Sequence, residues 1–140
     1  MSGTEITARD ARRVVDAALA KAESLGVAVS IAVVDNGGNL KEMSRMDGAT
    51  FMTPTVAANK AMTAAGLGLS TKDFAEFAGT NPVLLTGMAT QPDTAVFPGG
   101  VPITVGGELA GAVGVAGGPA GEDHPIAETG AGAMATVRAG

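Results

Sequence analysis

The stretch VAVSIAVVDNGGNLKEMSRM, residues 27–46, decides the fold. Val27 to Val34 is a β-branched run, and Asp35-Asn36-Gly37-Gly38 supplies residues that tolerate the positive φ of a hairpin turn. The chain then returns in alternation. Leu40, Glu42, Ser44 and Met46 fall on one side, and Lys41, Met43 and Arg45 on the other. Two strands joined this tightly must run antiparallel.

Outward from this hairpin, the same logic assigns the rest of the chain. Upstream, residues 7–26, TARDARRVVDAALAKAESLG, carry apolar positions Ala11, Val14, Val15, Ala18, Leu19 and Ala22 at helical spacing. Thr7 and Asp10 form a capping pair, Ile6 is placed as a staple, and Gly26 suits the C-terminal stop. Downstream, FMTPTVAANKAMTAAGLG (51–68) predicts a helix with Thr53 as N-cap and Pro54 in its first turn, ending at Gly66 or Gly68. STKDFAEFAG (70–79) predicts a second, short helix. After the Asn81-Pro82 break, VLLTGM reads as a helical turn, and TQPDTAVFPGG as a loop with a short strand near Ala95 to Phe97. A second hairpin follows, Val101 to Val105 and Glu108 to Ala116, around Gly106-Gly107. A last helix starts between Glu122 and Pro125 and is loosened by Gly130 and Gly132. Helix, hairpin, two helices, hairpin, helix is the order of an α+β domain, a central antiparallel sheet with flanking helices in two or three layers. One domain over residues 1–140 is expected from the length.

Composition removes several functions. The net charge is −5 with no run of Lys or Arg, which disfavours nucleic acid and anionic membranes as partners. There is no cysteine, so no thiol nucleophile or thiolate-bound metal is available. The N-terminus lacks a signal core, so a cytoplasmic location is expected. Low charge, 21 glycines and an aliphatic core with four phenylalanines and no Trp or Tyr point to apolar surface covered between subunits, a homo-oligomer.

Three positions carry chemistry. Arg45 and Asp47 flank Met46 at a strand end, and Lys60 sits on or near the apolar side of the following helix. One reading is a salt bridge from Asp47 to Lys60 or Arg45, pinning strand to helix. Another sends Arg45 and Lys60 into a shared cleft, where they meet an acidic ligand. A buried lysine can also titrate low enough to serve as a base. His124 is the single histidine. It excludes a multi-histidine metal site but suffices as an axial ligand to a macrocycle's metal. The glycines of GVAGGPAGEDHP (114–125) lack dinucleotide-fingerprint spacing, and Glu122 and Asp123 already answer the helix dipole there.

Taken together, VVD-x-GG-x-L, R-M-D-GA, A-x-x-K-A-x-T-A, GG-x-P-I and GAVGV-x-GG resemble the GlcG/HbpS-type family, which also supplies the C-terminal domain of PduO-type corrinoid adenosyltransferases. The resemblance runs from about Ile6 to Met134. It implies a profilin-like α+β fold, a homo-oligomer that is often an octamer, and a small-molecule ligand, with haem or a corrinoid as the leading class. Matched to the pattern, Arg45, Asp47, Gly48, Lys60 and the strand-end Gly117 and Gly118 are ligand-binding candidates, with His124 as possible metal donor. Two alternatives stand beside this. One is a cofactor-free lyase or isomerase for a small carbonyl or epoxide, using Lys60, Asp47 and His124 as acid and base. The other is an assembly domain without a pocket.

Overall fold

A computed structural model describes residues 5–139, with side chains described as far as 134. Its order is α1 (Ala8–Leu25), β1 (Ser30–Asp35), β2 (Leu40–Arg45), α2 (Thr53–Leu67), α3 (Thr71–Ala78), α4 (Pro82–Ala89), β3 (Gly100–Val105), β4 (Glu108–Ala116) and α5 (Asp123–Ala139). The four strands form one antiparallel sheet in the order β2-β1-β4-β3. The expected α+β architecture is present.

The layers follow from which side chains alternate onto which face. Ile31 and Val33 of β1, with Val113 and Val115 of β4, face α1 and α5, which contribute Val14, Val15, Ala18, Ile126 and Met134. On the opposite face, Ala32, Val34, Ala112 and Ala116 meet Ala57, Ala61, Ala64 and Ala65 of α2. Central strand β1 is buried along its whole length, as an apolar run with both faces covered should be.

The α2 face is nearly all alanine and glycine, so helix and sheet approach closely. A Cβ on Gly114 would overlap the Ala57 carbonyl oxygen, and one on Gly100 would overlap that of Lys60. On the other side, a Cβ on Gly130 would lie 3.1 Å from the Val14 carbonyl oxygen. Gly130 is therefore where α5 crosses close to α1 rather than a weak point in the helix.

Turn and cap chemistry is largely as the sequence requires. Thr7 Oγ1 accepts from the Asp10 N–H, and Gly26 closes α1 at φ 69°. Gly106 and Gly107 both have positive φ in the second hairpin. In the first turn Asp35 Oδ1 accepts from the N–H groups of Gly37 and Asn39. Burial works to raise the Asp35 pKa, but those hydrogen bonds, the Asn39 side chain and the Lys41 charge outweigh it and hold it below its usual value.

Four local expectations need correction. The register of β1 against β2 shifts at Val33/Val34, so Leu40 pairs with Val34 and Lys41 is the extra residue. The bulge breaks the alternation that put Leu40 with Glu42. Thr53 is the first helical residue rather than the N-cap, and its hydroxyl bonds Thr50 O and Ser30 Oγ, each at 2.8 Å. Residues 82–89 form a full helix, so three helices separate the hairpins; Asn81 caps it by accepting from the Leu84 N–H. Ala95 to Phe97 is loop, because the Ala95 N–H goes to Thr63 Oγ1 and two prolines flank the segment.

Gly114→Ala is expected to destabilise the fold by about 1–3 kcal/mol, since α2 must move off the sheet to admit one methyl. Denaturant unfolding checks this, and an unchanged midpoint contradicts the close packing described.

Candidate functional site

Lys60 is the largest fully buried side chain, 1% exposed, on a helix whose other buried residues are mostly alanines. Its stem runs beneath Gly99, where a Cβ would lie 2.7 Å from Nζ. The ammonium donates to Val115 O at 2.9 Å and to Asp123 Oδ2 at 3.0 Å, and sits 4.6 Å from the centroid of the Phe97 ring. An ammonium has three protons, and two hydrogen bonds and one ring face account for them. Burial pushes the Lys60 pKa down, while the Asp123 charge and hydrogen bond push it back up; the net shift is downward.

Asp123 completes the arrangement. Its other oxygen, Oδ1, accepts from the Gly118 N–H at 2.7 Å, and Glu122 Oε2 accepts from the Ala120 N–H at 2.8 Å. The glycine-rich exit of β4 thus has these N–H groups engaged by the protein's own carboxylates. This corrects the expected salt bridge. Lys60 pairs with Asp123, 63 residues away, and not with Asp47 or Arg45.

Arg45 lies on the outer strand and donates from Nη1 to Ala49 O at 2.9 Å, closing the 46–49 bend. Strand β1 separates β2 from β4, so the backbone of Arg45 and that of Val115, which anchors Lys60, stand roughly 10 Å apart across two strand spacings. Asp47 and Gly48 are exposed. Although the two cations hold different partners, the structure does bring Gly48 and Gly117 together. A Cβ on Gly48 would meet Ala28 Cβ at 3.6 Å, and one on Gly117 would meet Ala28 O at 3.0 Å. Both glycines have positive φ, 91° and 120°. They form a ledge of bare backbone at one end of the sheet, with Thr53 beneath Gly117.

His124, 16% exposed, lies in the first turn of α5, with Nε2 3.4 Å from Glu128 Oε2. Nδ1 is buried and has no hydrogen-bond partner. Nε2 faces the exposed carboxylate of Glu128. Among the described residues no cluster of three or more His, Asp or Glu could hold a metal ion. Among the described residues, three of the surface hollows have volumes of about 240–280 Å3, at the Asn36–Gly38 turn, beside Ile6 and Lys41, and between Met62 and Met88. They fall below the roughly 300–1,000 Å3 of an enclosing ligand pocket, and neither Arg45, Lys60 nor His124 lines them. None of these three hollows can enclose a macrocycle. The sequence reading missed Asp123 as the counter-ion of Lys60, and Phe97 as its cover. Only the fold joins positions 60, 97 and 123.

A four-stranded antiparallel sheet between an α1/α5 layer and α2, with glycine-rich strand ends beside an alanine-rich helix, defines the class: an α+β domain of the form seen in HbpS. The crystal structure of HbpS from Streptomyces reticuli, solved as a double mutant, superposes with a TM-score of 0.85 at 34% identity, covering 96% of this chain and 90% of that one. The chain matches the family described as "Haem degrading protein HbpS-like" over residues 6–132, and it belongs to that family. The GlcG protein of Escherichia coli K12 is 36% identical over 105 residues, 75% of this chain and 76% of GlcG. A structure described as a PduOC:haem complex has a TM-score of 0.84 at 27% identity, covering 92% of this chain and 94% of that one. No described helix is long and apolar enough to cross a membrane.

Two outcomes test the Lys60 assignment. Asp123→Ala strands a buried ammonium and is expected to cost about 3–5 kcal/mol; a loss under 1 kcal/mol in chemical unfolding contradicts the pair. The second concerns pH. The folded Lys60 pKa lies below its ordinary 10.5, so between those two values the unfolded chain carries the extra proton and stability rises with pH. Relative to Lys60→Met, the native protein should gain stability as pH climbs towards 10.5 and lose it as pH falls through the folded value. A pH-independent difference between the two proteins contradicts burial of the charge.

Proposed function

We propose that this chain is a homo-oligomeric small-molecule-binding protein, with haem as its ligand and a corrinoid as the related macrocycle to be compared. The observation that carries the reading is the likeness over nearly the whole chain to a domain whose structure is described as a haem complex. The ledge at Gly48 and Gly117 suits a flat ligand, because bare backbone lets a ring approach closely. Arg45 and Asp47 stand beside it and can meet acidic or amide substituents, with Gly118 at its inner edge. His124 would be the residue to supply a nitrogen donor to the bound metal, through Nε2. The three hollows described are too small to enclose a macrocycle, so it would be held against this surface, with a second copy able to cover it. An octamer, as the family resemblance implies, would place such sites between neighbours. A cytoplasmic location accompanies this proposal.

Lys60 has a different part in this reading. It fixes the 117–123 bend that carries the ledge, and its protons are already committed. It is therefore a positioning residue rather than the acid or base of a lyase or isomerase.

Titration of the purified protein with haem tests the proposal. With no Trp or Tyr, bound macrocycle dominates the visible spectrum. A shifted Soret band with saturable stoichiometry is expected, reduced at least tenfold in affinity by His124→Ala. Absence of any shift with haem and with cobalamin overturns the reading. An unchanged spectrum for His124→Ala removes His124 as donor.

A further inference from the structure

The Lys60 ammonium has three protons and two oxygen partners, Val115 O and Asp123 Oδ2. Carbon fills the third position: the Phe97 ring, its centroid 4.6 Å from Nζ. Phe97 belongs to no helix or strand and is 48% exposed, whereas Lys60 is 1% exposed. One side of the ring thus lies on the cation while much of the rest meets water. The segment that carries it is tied at both ends. Before the ring, the Ala95 N–H donates to Thr63 Oγ1 at 2.9 Å. Beyond it, the Gly100 N–H donates to Thr71 Oγ1 and the Val115 N–H to Gly99 O, each at 2.9 Å. Between these anchors, among the described residues, no hydrogen bond holds the backbone of Val96, Phe97 or Pro98. These three residues form a short flap, and the ring on the ammonium is the electrostatic contact that keeps it down.

The same ammonium leads on to the ledge. Asp123 holds Lys60 through Oδ2 and the Gly118 N–H through Oδ1, the latter at 2.7 Å, and Gly118 follows Gly117 directly. Ring, ammonium, carboxylate and amide make one chain of contacts from the flap to the bend.

We propose that Phe97 is a positioning residue for the Gly48 and Gly117 ledge: its ring face is the third partner of Lys60, and lifting the flap releases the Gly118 end of the bend. The inference rests on the ledge being the ligand surface and adds the element that sets its shape. The reason is electrostatic. A ring face is the negative side of the aromatic quadrupole and attracts a cation. An aliphatic cover of similar size leaves the third proton buried and unpaired, which is costly. With the flap raised, water reaches the ammonium and screens its attraction for Asp123. The carboxylate's hold on Gly118 slackens with it. The path is short. The chain leaves the flap at Gly99, with φ 134°, where a Cβ would lie 2.7 Å from Lys60 Nζ, so no side chain stands between hinge and cation. The coupling runs both ways. An apolar molecule that draws Phe97 outward by its open side loosens the ledge, and a ligand that orders Gly118 holds the flap down.

Amide exchange followed by NMR tests this on the full chain, for the native protein, Phe97→Leu and Phe97→Tyr. Leucine keeps an apolar cover, and tyrosine keeps the ring. The Gly118 amide is expected to exchange roughly fivefold faster in Phe97→Leu and at about the native rate in Phe97→Tyr, with the β1 amides unchanged in both. Haem titration of the same proteins should show affinity lowered about threefold in Phe97→Leu and restored in Phe97→Tyr. If Phe97→Leu does not fold, Phe97→Ile takes its place under the same criteria. A Gly118 amide equally protected in all three proteins overturns the proposal. So does equal loss in both variants, which makes Phe97 a cover of shape alone. Faster Gly118 exchange with unchanged haem affinity separates the bend from the ledge and also overturns it. A native protein that gives no Soret shift overturns the ligand reading alone, because the exchange ratio between the leucine and tyrosine variants decides the part of Phe97 without a ligand.

Discussion

The close seating of α2 on the sheet is the constraint on which the rest depends. Alanines on the helix and glycines on β3 and β4 bring the two backbones together, and the long side chain of Lys60 is fully buried at this seam. Lys60 has no room to turn back to water, so its charge emerges at the far edge of the seam. There it needs a carbonyl, a carboxylate and a ring face. Burying an ammonium is tolerable only when its partners are in place. Packing therefore dictates electrostatics, and the electrostatics in turn fix the start of α5.

That order of causes explains the condition of the glycine-rich bend. A strand exit with free N–H groups would be an anion site. Here Asp123 and Glu122 turn back and occupy those groups, and Asp123 holds Lys60 with its other oxygen. What the sheet's end presents is thus the exposed backbone of Gly48 and Gly117 on either side of Ala28.

Much of the fold was legible in local chemistry. Asp35-Asn36-Gly37-Gly38 and Gly106-Gly107 can hardly be anything except hairpin turns, and Thr7, Gly26, Ser70 and Gly68 mark helix ends by their capping chemistry. What failed was of two kinds. The bulge at Lys41 and the hydroxyl of Thr53 answer to neighbours across the sheet, which a linear pattern does not contain. The helix at 82–89 has no amphipathic stripe, because it buries nothing, so periodicity had nothing to detect. For the site, the residues at 45, 47, 60 and 124 stood out by type, yet their pairing was not legible. Position 60 could have met any of several carboxylates, and only the turn of the chain after β4 brings Asp123 to it.

The seam between α2 and the sheet also divides the molecule mechanically. Backbones in direct contact through Gly100 and Gly114 leave no slack, so helix and strands must travel as one rigid block. Any breathing that admits or releases a guest is confined to the periphery: the segment from 90 to 98 and the short helices beyond α2. The protein has in effect a stiff chassis with its compliance pushed to the rim, where neighbouring molecules can stiffen it in turn.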